Sequence, residues 1–349
     1  MKRRVIFPII PFAAIAVMTA AIFGIRYYVT FKKPNVSEEK VILVYRDADF
    51  PEVMDSLRSS GAIRNFRSFE RAVRKRDLAD HFEHGRYVLQ PGMSNQYIIR
   101  MIANSWQTPA RITLRGYIKT LDRLAGFLGS TFEADSAEFA AALNDTVLMD
   151  SLGFVSETYI SMFIPDTYEM YWTSSPKSVL LRFKREYDRF WKGERDRKAN
   201  EIGMTREEVS TLASIVIGET NNTDEMPLIA GVYMNRLKKR MPLQACPTVI
   251  YAHLDVEPGI TRVLKRHLAI DSPYNTYKYR GLPPGPIAIP TVNAIDAVLN
   301  YIKSDYLYFC AKPEFDGTHN FAATYSQHLR NSAAYNRALR EMMAGKEKG

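Results

Sequence analysis

From Val5 to Ile25 the chain runs 21 residues without a charge. Such a run is long enough for a helix to cross the hydrocarbon core of a bilayer, and too long for the apolar centre of most cleaved leaders. It ends in Arg26-Tyr27-Tyr28, the basic and aromatic collar that favours a membrane–water boundary. The pattern therefore predicts a retained anchor. Lys2, Arg3 and Arg4 on one side nearly balance Arg26, Lys32 and Lys33 on the other, so the flanking charges leave orientation open. The short N-terminal tail defaults to the cytoplasm, which puts the remaining chain outside.

That remainder is globular in composition, with 46% hydrophobic and 12% aromatic residues. A net charge of +9 suits nucleic acid, anionic lipid or an acidic polymer and selects none of them. The basic residues are dispersed, which argues against a nucleic-acid footprint. Cys246 and Cys310 show no metal-ligand spacing, and sequence leaves open whether they pair. His81-x-x-His84 and the pair His319 and His328 lack the HExxH arrangement of a zinc peptidase or amidase. No metal and no cofactor is expected.

The periodicities predict an α+β chain. Residues 1–33 form the tip and anchor, 34–40 a polar linker, 41–116 a small αβ module, and 117–349 a larger mixed α/β domain. In the module, Val41–Tyr45, Arg86–Gln90 and Ala110–Arg115 are strand candidates. Helices are expected over Asp49–Ser60, over a basic stretch Phe66–Asp80, and after the cap Ser94. By pattern alone this module fits a carbohydrate binder or a spacer equally. Farther on, Phe163–Trp172 sets Tyr168, Tyr171 and Trp172 behind a Pro-Asp pair, where they either line a sugar cleft or pack in a core.

Chemistry concentrates between Val209 and Arg236. Thr205 to Glu208 is a capping box, and Val209, Leu212, Ala213, Val216 and Ile217 follow at helical spacing. Glu219 lies at the edge of that stripe and in the last turn, where the helix dipole disfavours a carboxylate. Gly218 beside it admits a close neighbour. A polar bend, Asn221–Glu225, then leads into a second helix with Pro227 in its first turn. Two helices thus meet at a corner holding Glu219, a carboxyl suited to general acid chemistry. Downstream, Asp271–Pro290 is too rich in Pro and Gly to be helix or central strand. A long ordered loop of this kind is usually functional. Its Tyr274, Asn275, Thr276 and Tyr277 offer stacking faces and neutral hydrogen-bond groups.

Several short segments together resemble the YceG-like family. They are Pro165-Asp166-Thr167-Tyr168, Ile217-Gly218-Glu219-Thr220, Ile229-Ala230-Gly231-Val232 with Asn235-Arg236-Leu237, Met241-Pro242-Leu243-Gln244, Pro247-Thr248-Val249-Ile250-Tyr251, Ser272 to Tyr277, Gly281 to Ala288, and Asp305 to Phe309. The resemblance covers about Val41 to Tyr335 plus the anchor. It implies a LysM-like module ahead of a periplasmic catalytic domain, carried on a single-pass inner-membrane anchor. It also implies a peptidoglycan lytic transglycosylase, a lyase that cleaves nascent glycan strands, with Glu219 as its one catalytic carboxylate. Asn235, Gln244, Tyr274, Asn275, Thr276 and Tyr277 are the expected glycan-cleft residues. Glu225 and Asp166 are the nearest other carboxylates and are expected to be structural or orienting. The partners implied are glycan strands and penicillin-binding protein synthases. Cys246 stands where the family commonly has aspartate. The rival reading is a non-catalytic wall-binding scaffold for such synthases.

Overall fold

The computed structural model describes residues 9–346 of the chain. Lys2–Arg4, the start of the apolar run at Val5 and the last residues of the charged tail lie outside the described residues. A first helix, α1 (Ile9–Tyr27), passes without a break into a π-helical turn, Tyr28–Lys32. Val17 is 70% exposed and Phe23 66% exposed, although both are apolar. The stretch Ala14–Lys32 has a mean hydropathy of 1.5, and it is the one helix among the described residues long and apolar enough to cross a membrane.

The chain divides into two compact units. The first gathers the residues up to Arg111 with Thr131–Glu133 and Glu169–Ser174. Its β1 (Lys40–Val44) continues into α2 (Phe50–Ser59), α3 (Phe66–Arg74), β2 (Gly85–Leu89) and α4 (Asn95–Ala103). β1 and β2 pair antiparallel, from Lys40 opposite Leu89 to Val44 opposite Gly85. Local chemistry sets each boundary. Asp49 and Glu52 form a reciprocal capping box that starts α2. Ser94 accepts from the Tyr97 N–H and starts α4. The basic helix expected over Phe66–Asp80 is shorter, because Asp77 takes a left-handed conformation (φ 48°) and a separate turn, Leu78–Asp80, follows.

The segment expected to be a polar linker contains buried groups. Val36 is 1% exposed, and the buried Asn35 donates to Asn95 Oδ1 at 2.7 Å. Asn95 in turn donates to the carbonyl of Thr30 at 2.8 Å, and Phe31 enters the core beside Val36, Leu57, Phe69 and Ile98. The base of the apolar helix is therefore packed into this unit.

β3 (Ala110–Leu114) pairs with β4 (Asp166–Met170), a strand where sequence offered a cleft-lining turn or a core turn. Tyr168 and Trp172 are both 5% exposed, so two of the three aromatics there are packed inward.

The second unit is mostly helical. α5 (Leu121–Gly129), α6 (Ser136–Leu143) and α7 (Thr146–Ser151) precede α8 (Pro176–Trp191) and α9 (Glu194–Ile202). Gly193, at φ 95°, separates α8 from α9. Then come α10 (Arg206–Glu219), α11 (Met226–Lys238), α12 (Cys246–Ala252), α13 (Val292–Leu299), the strand pair β5 (Tyr308–Ala311) and β6 (His319–Ala322), and α14 (Tyr325–Lys346).

α10 is the axis of this unit. Thr205 and Glu208 cap it reciprocally, and every residue from Val209 to Ile217 is buried. It is wrapped on several sides by α11, α12 and α13, so burial exceeds the single stripe that periodicity suggests. Of its buried serines, Ser210 Oγ has no hydrogen-bond partner among the described residues, whereas Ser214 Oγ donates to Thr211 O and accepts from the Ile287 N–H at 2.9 Å. That bond ties the Pro/Gly-rich loop, Asp271–Pro290, to the central helix.

Candidate active site

α10 stops at Glu219 because Thr220 turns to an extended conformation (φ −148°, ψ 145°). The following bend is self-braced. Thr220 Oγ1 accepts from the Asn222 N–H, and Asn222 Oδ1 accepts from the Asp224 N–H, each at 3.0 Å. The chain then enters α11, with Pro227 in its first turn. Two glycines allow the approach. A Cβ on Gly218 would lie 2.6 Å from Pro247 Cβ, and one on Gly231 would lie 2.3 Å from the carbonyl oxygen of Ile302.

Glu219 is half-buried at the wall of a cleft of about 440 Å³. Tyr233, two turns into α11, donates from Oη to Glu219 Oε1 at 2.8 Å. Oε2 has no protein hydrogen bond among the described residues. Burial pushes the carboxyl of Glu219 up to about 7, against the opposing pull of the Tyr233 hydroxyl and the Arg236 guanidinium. A carboxyl that titrates near neutrality can both give and take a proton there.

Arg236 sits one helical turn beyond Tyr233 and is 8% exposed. Its Nε donates to Leu307 O at 2.7 Å and its Nη1 to Leu243 O at 2.8 Å, while the guanidinium lies over the Tyr308 ring. These contacts fix its charge beside the cleft. Opposite, Glu225 accepts from the His319 backbone N–H at 2.8 Å and lies 2.9 Å from its Nδ1. His328 stacks on Tyr308 with ring centroids 5.3 Å apart. Its Nδ1 is buried without a partner, and burial holds its pKa below the usual imidazole value. Cys246 Sγ lies 3.2 Å from Tyr277 Oη. Cys246 and Cys310 are both free thiols and both line the cleft.

Of the residues singled out in the sequence, Glu219, Gln244 and Tyr277 line this cleft. The other four do not, and each has another task. Asn235 donates both amide hydrogens to backbone carbonyls, of Ser304 at 2.7 Å and Tyr306 at 2.9 Å. Asn275 is fully buried and bonds the carbonyls of Leu268 and Ile270. Thr276, 2% exposed, accepts from the Ala245 N–H and meets the Thr248 hydroxyl at 2.9 Å. Tyr274 packs on Tyr251 with ring centroids 4.7 Å apart. These four hold the walls in register. Gln244 is an exposed residue held at φ 53°, with its N–H bonded to Thr276 O.

Tyr233, Arg236, Cys246, Phe309, His319 and His328 line the cleft without having been expected there. Arg236 and Phe309 do lie inside the family-like segments, the first next to Asn235 and the second at the end of Asp305 to Phe309. Glu219 is the one carboxylate that lines the cleft among the described residues. Glu225 is committed to His319, and Asp166 accepts from the Thr167 N–H.

A sequence profile of the YceG-like family matches residues 42–334. A Bacillus subtilis protein named endolytic murein transglycosylase is 43% identical over 141 residues, which is 40% of this chain and 36% of that protein. A Streptococcus pneumoniae protein of the same name is 28% identical over 354 residues, 90% of this chain and 62% of that one. The chain thus spans less than two thirds of the length of these curated relatives. A solved YceG-like protein of Listeria monocytogenes superposes with a TM-score of 0.58 at 25% identity, over 84% of this chain and 98% of that one.

Proposed function

The chain belongs to the YceG-like family, and from that premise we propose that it is a membrane-anchored lytic transglycosylase acting on peptidoglycan. The bond broken is the β-1,4 linkage between MurNAc and GlcNAc within a glycan strand. Its relatives' name supports the reaction class, and the pairing of Glu219 with Tyr233 supports the assignment of the acid.

In this mechanism the protonated Glu219 gives its proton to the glycosidic oxygen as the C1–O bond breaks. The carboxylate left behind takes the proton of the MurNAc C6 hydroxyl. O6 then closes on C1, forming a 1,6-anhydro ring and returning the proton to Glu219. No water is consumed. Two-carboxylate hydrolases need a second group as nucleophile or as base for water. A cleft with a single carboxylate suits the intramolecular route instead. Tyr233 binds Oε1 and leaves Oε2 to carry the travelling proton. Gln244, Tyr277, His319 and His328 supply polar groups and ring faces for the sugars.

The apolar helix would hold the chain in the inner membrane, with the cleft on the periplasmic side near nascent strands. Cleavage there would end strand elongation, in company with penicillin-binding protein synthases. The small N-terminal unit, as a LysM-like module, would hold the glycan.

The deciding experiment incubates the full-length chain, in detergent, with purified glycan strands and reads the products by mass spectrometry. Ends in 1,6-anhydroMurNAc, absent with Glu219→Gln, are expected. Reducing MurNAc ends, heavier by one water, would mean hydrolysis and a different second group. Strands bound but uncut by both proteins would make the chain a wall-binding scaffold.

A further inference from the structure

The cations near the foot of the apolar helix are not scattered. Arg67, Arg71 and Arg74 on α3, with Lys75 at its C-cap, follow at spacings of four, seven and eight residues from Arg67, which places them on one face. The opposite face carries Phe69, Ala72 and Val73 into the core. The helix's one acid, Glu70, is already paired with Arg58 at 2.7 Å. Arg71 and Lys75 make no ion pair among the described residues.

This face meets α1. Arg71, Lys75 and Arg26 share a cavity of about 640 Å³ with Phe23, Ile25 and Phe31. Three cations thus stand level with the last apolar turn of the helix, and among the described residues no carboxylate lines the cavity. Ile25 is 63% exposed, and Phe23 still more so, which leaves an apolar track running from the cavity along α1. The relative positions are fixed, because Thr30 and Val29 accept hydrogen bonds from Asn95 and Ser68.

We propose that this cavity binds the headgroup of an anionic phospholipid, with the acyl chains lying along Phe23 and Ile25. The proposal rests on the reading of α1 as a membrane anchor. An apolar track topped by three cations matches an acyl chain topped by a phosphate. A net positive lining without a carboxylate favours a lipid of net negative charge over a zwitterion. A free phosphate ion has the charge but no use for the track.

The test uses the full-length chain, equilibrated in detergent with equimolar phosphatidylglycerol and phosphatidylethanolamine, with retained lipids counted by native mass spectrometry. Wild type is expected to keep phosphatidylglycerol over phosphatidylethanolamine by roughly threefold or more. The variant R71Q/K75Q is expected to fall to parity, while R100Q/R111Q, outside the cavity, keeps the preference. Circular dichroism melts confirm that the variants are folded. Equal retention of phosphatidylglycerol by wild type and R71Q/K75Q would overturn the site. Displacement of the lipid by millimolar inorganic phosphate would reassign it to free phosphate. Alkaline carbonate extraction separates the two readings. Release of the chain from membranes removes the anchor, and the lipid site with it. A chain that stays embedded but shows no lipid preference loses the headgroup site alone.

Discussion

Tyr233 Oη stands 2.8 Å from Glu219 Oε1, so the hydroxyl of α11 holds one of the two carboxyl oxygens at the end of α10. A phenol donating to a carboxylate favours the charged form, so this contact works against the burial that raises the pKa. Tyr233→Phe removes only the oxygen. The pKa of Glu219 is then expected to rise further, shifting the alkaline limb of the kcat/KM profile to higher pH. Loss of orientation is expected to lower kcat by about tenfold. A pH–rate profile of both proteins checks this, and an unmoved alkaline limb would separate Tyr233 from the titrating group.

Glu219→Gln is expected to cost roughly 10²–10⁴-fold in strand cleavage, the range a general acid contributes. It has a second signature in stability. The folded-state pKa of about 7 lies above the ordinary glutamate value of 4.5. The native state therefore binds this proton more tightly than the unfolded chain, and stability is lost as pH rises through about 7. Glutamine resembles the protonated acid at every pH. The variant should gain on wild type between pH 5 and pH 8, by about 1–3 kcal/mol. Urea melts at the two pH values measure the difference.

Glu225 provides the contrast. It is one of the two rival carboxylates, and its oxygens are engaged by His319. Glu225→Gln is expected to keep cleavage within about tenfold of wild type, since it disturbs the start of β6 and not the acid. A loss as deep as that of Glu219→Gln, together with reducing-end products from wild type, would make it a second catalytic group.

Gly218→Ala would set a methyl 2.6–2.7 Å from the Pro247 ring. Overpacking of this kind typically costs 1–3 kcal/mol, about the amount expected in denaturant melts. Because the clash adjoins Glu219, kcat is expected to fall more than KM rises.

Asn235→Ala separates bracing from binding. Its amide bridges two carbonyls after α13, so about 1–2 kcal/mol of stability should be lost. The KM for glycan strands should hold near the wild-type value at temperatures where the variant is folded. A rise in KM without loss of stability would return Asn235 to the cleft wall.

What could be read in the sequence was local. The capping box at Thr205, the last-turn position of Glu219 and the polar bend before Pro227 are all short-range patterns, and each has its counterpart in the structure. The cleft wall is another matter. Asn235, Asn275 and Thr276 are polar and lie in motifs, yet their side chains bind backbone groups, and composition cannot distinguish a polar group that faces ligand from one that satisfies a carbonyl. Conversely, His319 and His328 reach the cleft from β6 and α14, about a hundred residues after Glu219. Only tertiary packing brings them there. β4 escaped notice for the same reason: its partner, β3, is more than fifty residues away in the chain, and Pro165-Asp166 looks like a turn.

The way the chain leaves α1 has a mechanical consequence. Between the apolar helix and the N-terminal unit there is no swivel. The helix runs on through Tyr28–Lys32, Phe31 enters the core, and Asn95 grips the carbonyl of Thr30. Torque applied to one is therefore transmitted to the other. Any tilt imposed on α1 would become a tilt of the N-terminal unit, and with α1 in a bilayer, as proposed, that unit would move as a post rotating about one axis, in place of a bead on a string.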